Sequence, residues 1–181
     1  MILLRMSLLN RLADYGHKEV LAESRKRFQQ YRRDNERIHA NIRKAVFLAI
    51  GANATDDEYD FFLKKYNSND PENTYYLAAL AVTKKPDQIR KFLNFVMSDA
   101  VRTQDAHVYM CQLTHSEPGR RLAWQFFKDH KQEFYDRYAN TKQAGDLIFC
   151  LTNGFSSEEM ATDILEFMAS VSKNMYMALY G

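Results

Sequence analysis

Residues 98–138 read SDAVRTQDAHVYMCQLTHSEPGRRLAWQFFKDHKQEFYDRY. The stretch carries two helix patterns and the turn between them. Thr103 is the expected N-cap of the first, since its hydroxyl can accept from a free backbone N–H two or three residues on. Asp105 then falls in the first turn, where a negative charge opposes the positive helix end. Ala106, Tyr109, Met110 and Leu113 recur at i, i+3, i+4, i+7 and make one apolar face. Ser116-Glu117-Pro118-Gly119 punctuates the chain. The second pattern runs from Gly119 to about Tyr138. Ala123, Phe126, Phe127, His130 and Phe134 form its stripe, and Trp124 lies beside it.

Working outward, helix follows helix. Leu3, Leu4, Met6, Leu8, Leu9 and Leu12 predict a helix apolar on most sides and buried between neighbours, closed by Gly16 at C′. Val20, Leu21, Ser24, Phe28 and Tyr31 mark the next face. A third helix is expected from about Ile38 to Ile50, stopped by Gly51. Thr55 with Glu58 reads as a capping box, and Asp70-Pro71 as an N-cap with proline at the first helical position. Pro86 opens another helix. Thr141 to Leu151 follows, closed by Asn153-Gly154, and Ser156 with Glu159 reads as a second capping box. Lys173 to Gly181 gives a short tail helix or a frayed end. Helix pairs thus begin near positions 2, 38, 70, 103 and 141, about 35 residues apart, which is the period of an α-solenoid. The expectation is all-α: a HEAT/armadillo-like superhelix of about five antiparallel helix pairs, forming a single α-solenoid domain over 1–181.

Composition agrees. At 181 residues, 46% hydrophobic and 13% aromatic, the chain can bury a sizeable core and is not disordered. Six glycines and three prolines suit helices with short turns. The net charge of +2 says little about partners. Two cysteines, Cys111 and Cys150, are too few for a disulfide framework. One bridge would satisfy them, but free thiols are the expectation. No apolar run reaches the length of a membrane span. The cytoplasm is the favoured setting, against which the tripeptide Asn53-Ala54-Thr55, a glycosylation sequon by pattern, weighs only weakly.

Val101-Arg102-x-Gln104-Asp105, then Gly119-Arg120-x-x-Ala123-Trp124-x-Phe126-x-Lys128, then Arg137-Tyr138, stand in an order and spacing that resemble the C-terminal domain of zinc aminopeptidases of the puromycin-sensitive and endoplasmic-reticulum type. Leu12-Ala13-Asp14-Tyr15-Gly16 with Ala22-Glu23 and Arg27-Phe28, and Ile38-His39-Ala40-Asn41-Ile42-Arg43 with Val46-Phe47, extend the likeness over most of the chain. Lys131 stands where that family usually has a tryptophan, and His39 replaces a proline. The resemblance implies a non-catalytic helical domain that packs on the catalytic domain of the same polypeptide, closes the substrate chamber and limits peptide access. It implies a parent that removes N-terminal amino acids from peptides, with zinc in its catalytic domain. This chain carries neither the His-Glu-x-x-His zinc motif nor the Gly-x-Met-Glu-Asn segment, so no catalytic or metal residue is assigned to it. The alternative is a free-standing helical-repeat scaffold that binds another protein through its concave face.

Arg102, Gln104 and Asp105 are the polar residues to single out. Capping accounts for the local sequence. The resemblance adds a second reading, in which the three face the chamber of the intact enzyme and receive peptide substrate, Arg102 meeting a carboxylate through paired hydrogen bonds. His107, Cys111 and His115 lie at i, i+4, i+8 and share a face, but a closed metal site needs a fourth ligand. A Cys111–His107 nucleophile lacks an orienting group and an oxyanion hole. The basic run from Arg25 to Lys44 is interleaved with Glu19, Glu23, Asp34 and Glu36 and reads as a solvated helix face, not a nucleic-acid surface. Contact of this domain with a membrane is not expected either.

Overall fold

The computed structural model describes residues 2–34, 36–68, 70–139 and 141–171, the side chains of residues 2–6 and Lys142 excepted. Among them are eleven α-helices and no strand, so the all-α expectation holds. The chain gathers into two compact units, Met1–Gln88 and Ile89–Gly181.

In the first unit, α1 (Ile2–Asp14), α2 (Lys18–Asp34), α3 (Ala40–Gly51), α4 (Asp56–Tyr66) and α5 (Asn73–Leu80) follow in order. Helix α3 packs against α1, α2 and α5, and its buried residues Ala45, Val46, Phe47, Ala49, Ile50 and Gly51 leave it little free surface. Phe28, Phe47, Phe62 and Tyr76 are all fully buried and meet ring to ring at 5.1 to 6.4 Å. Edge-on and offset ring contacts of this kind add to the area they remove from water. Gly16 has φ +76° and ends α1 as expected, because a side chain would be strained there. The Thr55–Glu58 capping box is formed in both directions. Gly51 is the last residue of α3, and a Cβ on it would stand 2.1 Å from the Ala79 carbonyl oxygen. Glycine there lets α3 and α5 approach closely. The all-round burial expected for α1 is not found, since Leu8 is exposed.

The boundary between units falls in the first turn of α6 (Pro86–Met97). The second unit continues with α7 (Thr103–Leu113), α8 (Glu117–Asp129), α9 (Lys131–Tyr138), α10 (Lys142–Thr152) and α11 (Glu158–Ser170). The single helix expected from Gly119 to Tyr138 is two helices. His130 leaves helical geometry (φ −113°, ψ 24°), and its ring stacks on Phe126 at 4.0 Å while Nδ1 donates to the Phe126 carbonyl at 2.9 Å. The ring thus doubles the backbone bond that the His130 N–H makes to the same oxygen. Trp124 is a core residue, only 2% exposed.

Several helix starts also differ. Arg102, not Thr103, occupies the N-cap of α7 and makes no side-chain cap bond. Ser116 caps α8 by accepting from the Gly119 N–H, and Ser157, not Ser156, caps α11 by accepting from Met160. Asp70 stands two residues before the α5 N-cap, Glu72, and accepts from its N–H. The expected tail helix at 173–181 lies outside the described residues. The expectation of free thiols is overturned: Cys111 on α7 and Cys150 on α10 form a disulfide, with Cα atoms 5.4 Å apart and a sequence separation of 39. Packing of α7 on α10 brings the two positions together, which no local pattern reveals.

Candidate functional site

The three singled-out residues sit at the start of α7. Arg102 has an extended backbone (φ −60°, ψ 141°) because it is the last residue before the helix. Its Nε donates to the Asp105 carboxylate at 2.7 Å. The arginine side chain is 71% exposed, whereas Asp105 is 21% exposed. Asp105 therefore does two jobs: it opposes the helix dipole from the first turn and orients the guanidinium above it. Gln104 is exposed.

Arg102 and Thr103 line an open hollow of about 550 Å³ together with Asp99, Glu133, Asp136 and Arg137. Gln104 and Asp105 do not line it. The hollow is shaped by the end of α9. Arg137 reaches back about 40 residues to the α6–α7 loop and donates to the carbonyls of Met97 and Val101 and to the Thr103 hydroxyl. These carbonyls lie at or beyond the C-terminal end of α6, where backbone oxygens lack helical partners. Tyr138 is buried and its hydroxyl donates to the Thr103 carbonyl at 3.2 Å. Burial pushes that phenol up to about 12, against the opposing pull of Arg137, so it stays protonated and keeps donating. Arg137 and Tyr138 thus hold the loop that presents Arg102. Sequence reasoning noted the Arg137-Tyr138 pair but gave it no role, because its acceptors are backbone atoms far off in the chain.

Electrostatically the hollow is mixed. Asp99, Glu133 and Asp136 bring three carboxylates and are all exposed. Arg137 is committed to backbone carbonyls, leaving Arg102 as the guanidinium on the lining that a ligand can reach. Arg120 makes a second tie elsewhere in the unit. It donates to the carbonyls of Thr114 and Gly154, joining the α7–α8 and α10–α11 turns.

The stripe His107, Cys111 and His115 does not form a ligand set. Cys111 is bonded to Cys150, and a disulfide sulfur is neither a thiolate ligand nor a nucleophile. His115 Nδ1 instead donates to the Gln112 carbonyl. Among the described residues no group of three or more His, Cys, Asp or Glu side chains comes together to hold a metal ion. The basic face of α2 is matched by acids: Arg25 pairs with Glu58, Arg27 with Glu23, Arg32 with Asp57 and Arg33 with Asp34. No described helix is long and apolar enough to cross a membrane.

The model of the ERAP1-like C-terminal domain matches residues 1–178. Aminopeptidase M1 of Arabidopsis thaliana is 34% identical over 182 residues, covering 94% of this chain and 20% of the plant protein. Human aminopeptidase N is 26% identical over 129 residues, 69% of this chain and 13% of the human protein. The puromycin-sensitive aminopeptidase of Caenorhabditis elegans is 21% identical over 174 residues, 93% of this chain and 18% of the worm protein. The chain spans between 13% and 20% of the length of these relatives. With Arg102, Arg120, Trp124 and Arg137 each given a structural place by the fold, and with the family match running almost end to end, the chain belongs to the ERAP1-like C-terminal domain family of aminopeptidases.

Proposed function

We propose that this chain is the closing part of an aminopeptidase: a non-catalytic helical domain that packs on the catalytic domain of the same polypeptide and limits which peptides enter. The observation that carries this reading is the family match over residues 1–178. Zinc belongs to the catalytic domain of the parent, where it would supply Lewis-acid chemistry for removal of the N-terminal residue. The residues described here offer it no ligand set. The role of this chain is then positional. It excludes water and bulky substrates, and its movement sets access to the chamber.

Within that role, Arg102 is the residue that meets substrate at the hollow, Asp105 orients it from the first turn of α7, and Gln104 stands exposed beside them, off the lining. Arg102 is exposed on an open hollow and already oriented by Asp105. A guanidinium held this way can meet a peptide's terminal carboxylate with little further ordering.

The test is Arg102→Ala in the full-length enzyme, with kcat/KM measured over a ladder of peptide lengths bearing free or amidated C-termini. We expect a roughly 5- to 50-fold loss for free-acid peptides long enough to reach the hollow, the scale of one charge-assisted contact. Amidated and short peptides should be unaffected. Equal loss for all peptides, or no loss, would remove Arg102 from the substrate path.

A further inference from the structure

The tripeptide Asn53-Ala54-Thr55 is the only Asn-x-Ser/Thr sequence in the chain, and its middle residue is not proline. The fold puts it in the short turn between α3 and α4. Asn53 is exposed, while Ala54 beside it is 1% exposed. The turn is therefore anchored through Ala54 and displays Asn53. Two backbone bonds, Asn53 N–H to Ile50 and Ala54 N–H to Gly51, set that orientation. A sequon inside a helix or under the core would be silent. This one stands where a bulky, hydrated group can project without displacing any packed side chain.

A second observation, unconnected with the first, concerns the same compartment. Cys111 and Cys150 are joined although they are 39 positions apart in sequence. Forming the bridge removes two protons and two electrons, which a disulfide-bearing oxidoreductase accepts. Such bridges form and persist in oxidising compartments and are rare in the cytosol. Asparagine glycosylation belongs to the same secretory setting.

We propose that Asn53 is an N-glycosylation site and that the protein matures in an oxidising secretory compartment, not in the cytoplasm. The donor is an oligosaccharide linked to a lipid through a diphosphate. The Asn53 amide nitrogen attacks the anomeric carbon; the C–N bond forms, the bond from that carbon to the phosphate oxygen breaks, and the lipid diphosphate leaves with the electron pair. The amide nitrogen loses one proton. Thr55 caps α4 by accepting from the Glu58 N–H, a bond made only on folding, so the hydroxyl is available to the transferase while the chain is still extended.

The capping role makes Thr55→Ala a poor probe, because it removes the sequon and the cap together. Asn53→Gln removes the sequon alone, and Thr55→Ser keeps both sequon and cap. The full-length polypeptide, with its own targeting signals, is produced in eukaryotic cells and treated with peptide-N-glycosidase in heavy-oxygen water. For the unaltered chain and Thr55→Ser, the expected result is a peptide in which position 53 is recovered as heavy-oxygen aspartate, with a matching gain in gel mobility at this domain. Asn53→Gln should lose both signals. Recovery of the Asn53 peptide unmodified, with no glycosidase-dependent form, would overturn the proposal.

Discussion

Two arginines at the ends of the same hollow do opposite work. Arg137 is half-buried and donates to the Met97 and Val101 carbonyls, whereas Arg102 is largely exposed and touches one carboxylate three residues on. Hydrogen bonds from a charged group to otherwise unpaired carbonyls contribute about 1.5–3 kcal/mol. Exposed ion pairs contribute about 0–1 kcal/mol. Arg137→Lys should therefore lower the free energy of unfolding by about 2 kcal/mol, because an ammonium cannot reproduce the planar fork. Arg102→Ala should change it by no more than about 0.5 kcal/mol. Urea denaturation of both variants checks the pair. Equal effects would mean that solvent already satisfies the loop carbonyls. The contrast also separates the candidate substrate residue from the residue that supports it, since only Arg102 can be removed without loosening the loop.

At the scale of elements, α8 and α11 are joined by Asp163. Its carboxylate accepts from Trp124 Nε1 at 2.5 Å and from Lys128 Nζ at 2.6 Å. Partial burial raises its pKa, but the hydrogen bonds from Lys128 and Trp124 outweigh this and hold the carboxyl below its ordinary value. A carboxylate whose folded pKa is depressed contributes stability that is present above the unfolded value of about 3.9 and is lost as pH falls through the folded value. Asp163→Asn should therefore lower the urea midpoint at neutral pH, and the gap to the unaltered protein should begin to narrow as pH falls past about 3.9 and close only below the lowered folded value, where Asp163 is protonated in both states. A gap that persists in acid would assign the loss to packing instead of charge. This tie shows what the sequence did and did not make legible. The apolar faces of α2, α7 and α8, the Gly16 terminator and the Thr55–Glu58 box could all be read, because each is set within one or two turns of helix. Asp163 meeting Trp124, Arg137 meeting the α6–α7 loop and Cys111 meeting Cys150 could not, because each joins residues more than 30 positions apart. The break at His130 was also hidden. It carries no glycine or proline, and what marks it in the structure is the imidazole's own bond to the Phe126 carbonyl.

At the scale of the molecule, the two compact units are fastened by different means. The first, Met1–Gln88, is held by its cluster of aromatic rings and by the buried Thr83–Gln88 pair, whose amide also donates to Ala54 and Asp56. The second, Ile89–Gly181, adds a covalent tie between α7 and α10. Closing a loop of about 39 residues restricts the unfolded chain enough to contribute about 4 kcal/mol on the chain-entropy account. The only tryptophan of the chain, Trp124, is buried in that same unit, so its fluorescence reports on the part the bridge stabilises. Adding a dithiol reductant, or replacing both cysteines by alanine, should move the fluorescence-detected thermal midpoint down by about 10 °C or more, since about 1 kcal/mol corresponds to a few degrees in domains of this size. Far-UV circular dichroism, which sums over both units, should shift less if the first unit unfolds by itself, and equally if the two unfold together. A fluorescence midpoint indifferent to reductant would mean that non-covalent packing is enough to hold α7 on α10. That result would leave the bridge without a stabilising role, while an equal shift in both signals would show that the hollow at Arg102 depends on the integrity of the whole chain.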